Sequence, residues 1–184
     1  MKHVLIVGRP TVGKTTLIKR LVEELRGQAI DGFFTEELRE DGQRLGFWLS
    51  SLDGRQALLA HRQMESPYRV GAYKVNVALL DGMAVEIIRR GMRQARVLLL
   101  DEIGKMELCS GAFQQAVEEA IIRGPRMVAT IGIQHLPFLD QLKRRKDMEL
   151  VALSPNNWKT VYEELRTRLA LACDDDDQIR RLEQ

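Results

Sequence analysis

Two cysteines, five prolines and a 5% share of aromatic residues leave this 184-residue chain without several common routes to stability or function. Cys109 and Cys173 stand far apart in the sequence. They exclude a disulfide scaffold and any zinc site built from cysteine alone, and they suit a reducing cytoplasm. No stretch approaches the roughly 18 consecutive apolar residues of a membrane-spanning helix. The apolar run after Met1 is also too short for a signal peptide. Neither sign of charge dominates: 28 Lys and Arg stand against 26 Asp and Glu, so the net charge of +2 argues for neither nucleic acid nor membrane as partner. His3, His61 and His135 are scattered without metal-ligand spacing. Cys109 has no histidine near it in sequence to activate it as a nucleophile.

The remaining composition, 45% hydrophobic and 29% charged, is that of a soluble globular domain. A chain of this size buries about 70% of the surface it exposes when unfolded. Length predicts one domain over residues 1–172, followed by an acidic tail at 173–184 that repels itself and frays around Asp174–Asp177.

Strands and helices alternate along the chain. His3–Val7 is a short apolar run ending at a glycine, and Leu17, Ile18, Leu21, Val22 and Leu25 repeat at helical spacing over 14–26. Gly32–Thr35 and Leu45–Leu49 flank the turn signal Glu40-Asp41-Gly42 and predict a hairpin. Short strands are expected at 57–60 and 73–77, and a helix at 78–94. Val97–Leu100 is apolar throughout, as in a parallel strand covered on both faces. A helix at 110–123, a strand at 127–131, a helix at 137–145, a strand at 149–153 and a helix at 158–172 complete the series. The expected fold is α/β: a mostly parallel sheet flanked by helices, extended by an antiparallel hairpin.

Gly8-Arg9-Pro10-Thr11-Val12-Gly13-Lys14-Thr15 fits the phosphate-binding loop pattern G-x-x-x-x-G-K-[ST]. It lies between a strand and a helix, the context the pattern requires. Glycines let the backbone curl so that successive N–H groups converge on phosphate oxygens, and the helix N-terminus adds positive potential. Lys14 supplies a cation to the β- and γ-phosphates, and the Thr15 hydroxyl is a ligand for Mg²⁺. Gly8 through Thr15, together with Thr16, form the candidate nucleotide cradle. The apolar strand at 97–100 delivers Asp101-Glu102 to its C-terminal end, where ligands gather in open α/β sheets. Asp101 is the second candidate Mg²⁺ ligand, and Glu102 the candidate base for an attacking water.

With both motifs placed, the chain resembles the THEP1-type nucleoside-triphosphatase family, with its human cancer-related and prokaryotic members. The likeness extends beyond the loop. Asp31-Gly32-Phe33-Phe34-Thr35-Glu36-Glu37-Leu38-Arg39, Arg44-Leu45-Gly46-Phe47, Val70-Gly71-Ala72-Tyr73-Lys74-Val75 and Asp101-Glu102-Ile103-Gly104-Lys105-Met106-Glu107-Leu108 follow its motifs in order. The resemblance implies Mg²⁺-dependent hydrolysis of several nucleoside triphosphates. It puts the family's roles on Lys14, Thr15, Asp101 and Glu102, and makes Lys105 a candidate cation for transition-state charge. Two positions depart from the pattern. Thr11 stands where the family often has glycine, and its β-carbon is expected to keep it from positive φ. Asn157 is followed by Trp158 where the family carries Asn-Arg near the base.

Trp158 has two readings, stacking on the base or packing at a helix start; Asn157 and Trp158 are taken as candidate base contacts. Phe33, Phe34, Phe47 and Trp48 read as sheet core rather than base-stacking residues. Glu36 and Glu37 sit either at the site or on a solvated edge. Lys143–Lys146 reads as a solvated basic face, with Arg145 its best functional candidate, and Arg89, Arg90, Arg93 and Arg96 read as surface. Two other functions use the same scaffold: a nucleotide or polynucleotide kinase, for which the stretch 137–146 is easily misread as a short lid, and a slow nucleotide-dependent RNA-binding switch. A base at Glu102 favours water as the acceptor. The expected partner is a small-molecule nucleotide met by a monomer, with neither membrane nor, by preference, nucleic acid involved.

Overall fold

The structure, a computed structural model, describes the backbone of residues 2–182 and the side chains of residues 2–173. Nine strands form one sheet: β1 (His3–Val7), β2 (Ile30–Glu40), β3 (Gln43–Ser51), β4 (Gln56–His61), β5 (Arg69–Val70), β6 (Tyr73–Val75), β7 (Val97–Asp101), β8 (Arg126–Ile131) and β9 (Met148–Ala152). Their spatial order is β5-β6-β4-β3-β2-β7-β8-β1-β9. The strands β2-β7-β8-β1-β9 run parallel, and β3, β4, β6 and β5 extend them antiparallel.

β2 belongs to both parts. Its first half, Ile30–Phe34, pairs with β7, and its residues from Phe33 onward pair with β3. The antiparallel part is larger than the expected hairpin because charged residues at Thr35–Arg39 read in sequence as an edge, whereas β2 carries them onward as strand.

The sheet is covered on both faces, which explains the unbroken apolar runs of β1 and β7. Leu5, Leu98 and Leu100 pack with Phe113, Val117 and Ile87 on one face. Val4, Ile6, Val97 and Leu99 pack with Leu17, Ile18, Leu21, Leu165 and Leu169 on the other. The first face is covered by α3 (Val85–Gln94) and α4 (Gly111–Arg123), and the second by α1 (Lys14–Glu24) and α6 (Trp158–Leu182). A short helix α2 (Val77–Leu79) and a π-helical turn at Leu80–Ala84 precede α3, where one continuous helix was expected. In that turn Asp81 accepts a 2.5 Å hydrogen bond from the Ser110 hydroxyl, the N-cap of α4. Helix α5 (Pro137–Arg144) leads into β9. The backbone of α6 continues past residue 172, and Cys173, the first residue of the expected tail, is buried against the core; the side chains of residues 174–184 lie outside the described residues.

Arg90 departs from its expected surface position. It donates from Nε and Nη2 to both carboxylate oxygens of Asp31 at 2.7 and 2.6 Å, bonds Asp53 as well, and is largely buried. The pair fixes the start of β2 against α3.

Gly32 shows how closely β2 meets β7. Its φ is +141°, and a Cβ there would fall 1.8 Å from the carbonyl oxygen of Leu99. Gly32→Ala cannot be relieved by a side-chain shift, because the clashing atom is backbone. It is expected to cost at least about 3 kcal/mol, at the upper end of overpacking losses. Denaturant unfolding should show this as a lower midpoint or as loss of soluble protein.

Candidate active site

Parallel pairing sets the site. Val7 is level with Ile131, and Leu100 with Ala129. The loop after β1, the carboxylates after β7 and the end of β8 therefore reach the same edge, with β8 between the other two strands. Ligands gather at this carboxyl edge in open α/β sheets.

The loop takes the shape its glycines permit. Gly13 has φ +93° and caps α1; a Cβ on it would lie 2.9 Å from the Trp158 indole nitrogen. A Cβ on Gly8 would lie 2.7 Å from Val12. Thr11 corrects an expectation, since its φ is +65° despite its β-carbon. The loop has to reverse at this point, so the curl prevails over the local preference. The Thr11 hydroxyl donates 2.6 Å to the Pro10 carbonyl. Arg9, Pro10 and Thr11 are exposed, and Val12 packs beneath them.

Lys14 is 7% exposed. Its Nζ donates to the Gly8 carbonyl at 3.3 Å and lies 3.2 Å from Glu102 Oε2. Asp101 is fully buried. Its Oδ1 accepts a 2.5 Å bond from the Thr130 hydroxyl on β8, while its Oδ2 has no hydrogen-bond partner. Burial pushes the Asp101 carboxyl upward, opposed by the Thr130 and Thr15 hydroxyls and by Lys14. An unsatisfied buried carboxylate oxygen beside the Thr15 hydroxyl is the donor set a hard divalent cation prefers, in a site where nucleotide and water supply the remaining oxygens. Among the described residues no group of three His, Cys, Asp or Glu could hold a metal by protein ligands alone.

Facing the loop is a cleft of about 600 Å³ whose far wall is the antiparallel extension. Lys14, Thr15 and Glu102 line one side, and Thr35, Glu37, Arg44, Phe47 and Tyr73 the other. Strand alternation separates the two glutamates. Glu37 faces the cleft, where Arg44 Nη1 bonds it at 2.6 Å; Glu36 turns away to Lys19 and the Ser50 hydroxyl. Arg44 also donates 2.9 Å to the Tyr73 hydroxyl and lies over the Phe47 ring. Its contact holds Glu37 below the usual carboxylate range. Of the four aromatics read as core, Phe33 is fully buried and Phe47 lines the cleft. Lys105 lines the same cleft and makes no ion pair among the described residues.

The other candidates lie apart from this cleft. Trp158 Nε1 donates 3.1 Å to the Gly13 carbonyl, and its ring stacks on Tyr162 with Arg20 beside it. Asn157 closes the turn before α6, accepting from Ser154 N at 2.8 Å and donating to Ala152 O at 2.8 Å. Arg145 forms a two-bond pair with Asp147. A cavity of about 630 Å³ opens at the opposite edge of the sheet, by the first residues of β2, but its acidic residues Asp31 and Asp53 are both bound by Arg90.

Thr130, Arg44 and Glu107 carry no role in the sequence reading. Thr130 sits among the apolar Met127, Val128, Ala129 and Ile131 of its strand, and Arg44 reads as part of a motif without a partner. Glu107 is 4% exposed, and its Oε2 accepts a 3.0 Å bond from Gly104 N. Burial is the first cause that pushes its carboxyl up, to about 8, and the charges of Glu102 and Asp101 add to it.

Comparison with known proteins agrees with this arrangement. Residues 3–166 match a family model described as NTPase. The chain belongs to this nucleoside-triphosphatase family. It is 43% identical over 162 residues to the nucleoside-triphosphatase THEP1 of Thermotoga sp. (strain RQ2), covering 88% of this chain and 92% of that relative. The crystal structure of THEP1 from Aquifex aeolicus matches with a TM-score of 0.81 at 35% identity, over 89% of this chain and 96% of that one. The solution structure of a human cancer-related nucleoside triphosphatase gives 0.79 at 33% identity, over 92% and 97%. The family's P-loop fold is the mixed nine-stranded sheet described above. No helix among the described residues is long and apolar enough to cross a membrane.

Glu107 generates a stability prediction. In the unfolded chain it titrates near 4.5 and in the fold near 8, so the folded state holds a proton that the unfolded state releases between those values. Stability therefore falls as pH rises from about 4.5 to about 8, by at most about 1.4 kcal/mol per pH unit. Glu107→Gln keeps an acceptor for Gly104 N and lacks the titration. Thermal melts from pH 5 to 8.5 should show the wild-type midpoint declining relative to that of the variant; parallel curves would mean that Glu107 ionises normally.

Proposed function

We propose that this chain is a Mg²⁺-dependent nucleoside-triphosphatase, transferring the γ-phosphoryl group of ATP, GTP and other nucleoside triphosphates to water. One observation carries the reading: Lys14 and Glu102 meet at 3.2 Å above a glycine-shaped loop, next to a buried Asp101 with an unsatisfied oxygen. The names of the similar proteins, nucleoside-triphosphatases, support the same reaction.

The loop's N–H groups and the N-terminus of α1 bind the phosphates. Lys14 turns from Glu102 to the β- and γ-oxygens and neutralises charge as the β–γ bond breaks. Glu102, released from Lys14, orients a water and takes its proton as the oxygen attacks phosphorus. Thr15 and Asp101 are the residues that would hold Mg²⁺, which when bound neutralises charge on the β- and γ-oxygens. Thr130 holds Asp101 in place. Lys105, which lines the cleft without a counter-ion among the described residues, is the cation proposed to meet developing charge on the γ-oxygens. The site is built within one chain, in the single domain proposed for residues 1–172. A chain with two cysteines, Cys109 and Cys173, far apart in the sequence suits the cytoplasm.

Lys14, Thr15, Asp101 and Glu102 all address phosphate, Mg²⁺ or water and none addresses one particular base, so broad use of nucleotides is expected. Trp158 supports the loop from beneath: its indole holds the Gly13 carbonyl, and its ring is already engaged by Tyr162 and Arg20. Trp158→Ala should then raise KM for purine and pyrimidine nucleotides alike. A loss confined to purines would show that the indole stacks on the base.

Two substitutions test the chemistry in a phosphate-release assay with Mg²⁺ and each of ATP, GTP, CTP and UTP. Lys14→Ala should remove most turnover with the fold intact, since catalysis here is positioning and electrostatics. Glu102→Gln should lower kcat by about 10²–10⁴, the usual range for loss of a general base, with nucleotide affinity retained. Near wild-type kcat in Glu102→Gln would remove it from the reaction.

A further inference from the structure

Hydrolysis consumes one water, which occupies about 30 Å³ in the liquid. The space beyond Glu102 is much larger. The 600 Å³ cleft adjoins a recess of about 250 Å³ that Glu102 also lines. Cleft and recess share Thr35, Phe47, Val70, Glu102, Lys105, Met106 and Gln134, whereas Lys14 and Thr15 line only the cleft, and Leu59 and Glu107 only the recess. Glu102 lines both, so it touches Lys14 of the phosphate loop and also borders the recess.

The recess is not shaped for water alone. Phe47, Leu59, Val70 and Met106 give it an apolar wall, and the Phe47 ring is fixed edge-on against Tyr73 at 5.1 Å. Thr35, Gln134 and Glu107 give it a polar edge. An apolar wall with a few convergent polar groups is the general form of a small-molecule site.

We propose that the recess binds a second substrate, a small heterocyclic alcohol, and that the chain transfers the γ-phosphoryl group to its hydroxyl. This rests on the nucleotide and base assignments of the proposed function and replaces only the acceptor. The flat ring of the alcohol lies along Phe47 and Met106, and its heteroatoms meet Gln134 and Glu107. At neutral pH burial keeps Glu107 protonated, so it offers a donor as well as an acceptor. The hydroxyl points to Glu102. Its oxygen forms the new bond to the γ-phosphorus, its proton passes to the Glu102 carboxylate, and the bond from the γ-phosphorus to the bridging oxygen breaks with the electron pair leaving on the nucleoside diphosphate. With the recess unfilled, water takes the same position and phosphate is released.

The test is ³¹P NMR of the full-length chain with ATP and Mg²⁺, alone and with adenosine, uridine or pyridoxine at millimolar concentration. The expected result is a phosphomonoester resonance from at least one of the three, growing at the expense of inorganic phosphate. Leu59→Trp fills the recess from β4, at a residue that does not line the cleft, and should abolish the ester while phosphate release from ATP alone stays within about threefold. Leu59→Ala, which leaves the recess open, should retain the ester, so a folding defect at this position is separable from occlusion. Phosphate release with no ester from any of the three alcohols would overturn the acceptor site and leave hydrolysis standing. Absence of both products would overturn the two readings together.

Discussion

The site depends on a carboxylate held out of solvent. Asp101 ends a strand buried on both faces, and an ionised group there is costly unless it is met by partners. The fold supplies one from the neighbouring strand, the Thr130 hydroxyl, and leaves the second oxygen facing the loop side. That arrangement needs β8 between β1 and β7, so the strand order of the sheet and the electrostatics of the site are one constraint. Lys14 and Glu102 are its outer shell, a cation and an anion 3.2 Å apart; in the proposed reaction they separate, Lys14 to the phosphates and Glu102 to the water.

Much of this was legible in sequence because it is local. Gly8–Thr15 announces its own conformation through its glycines, and Val97–Asp101 announces burial on both faces through an unbroken apolar run. The parts that escaped depend on pairing across distance. Thr130 gains its meaning only when β8 is laid beside β7. Arg44 looks like one more charge on a hairpin until Tyr73, twenty-nine residues later, bonds it. Glu107 sits within a motif that could be matched letter by letter without disclosing that its carboxyl is buried.

Thr11 and Trp158 show the limits of residue-by-residue inference. Steric preference argued against positive φ at Thr11, but a loop that must surround an anion imposes its path on whichever side chain stands there. Trp158 occupies a place near the base in the family pattern, yet here the indole bonds the loop's own Gly13. A position can keep its neighbourhood and change what it touches, because a large ring reaches the backbone that a guanidinium would pass.

β2 is shared between the parallel half of the sheet and the antiparallel extension, and this has a mechanical consequence. The two walls of the cleft are branches of one continuous hydrogen-bonded plate, joined along a strand pinned at its start by Arg90 and Asp31. Its ladder is interrupted in the extension, between Leu38 and Arg39 of β2 and between Phe47 and Trp48 of β3. Interruptions of this kind bend a strand and increase its local twist, so the curvature of the sheet, set far from the phosphate loop, determines how Glu37, Arg44 and Phe47 meet the cleft.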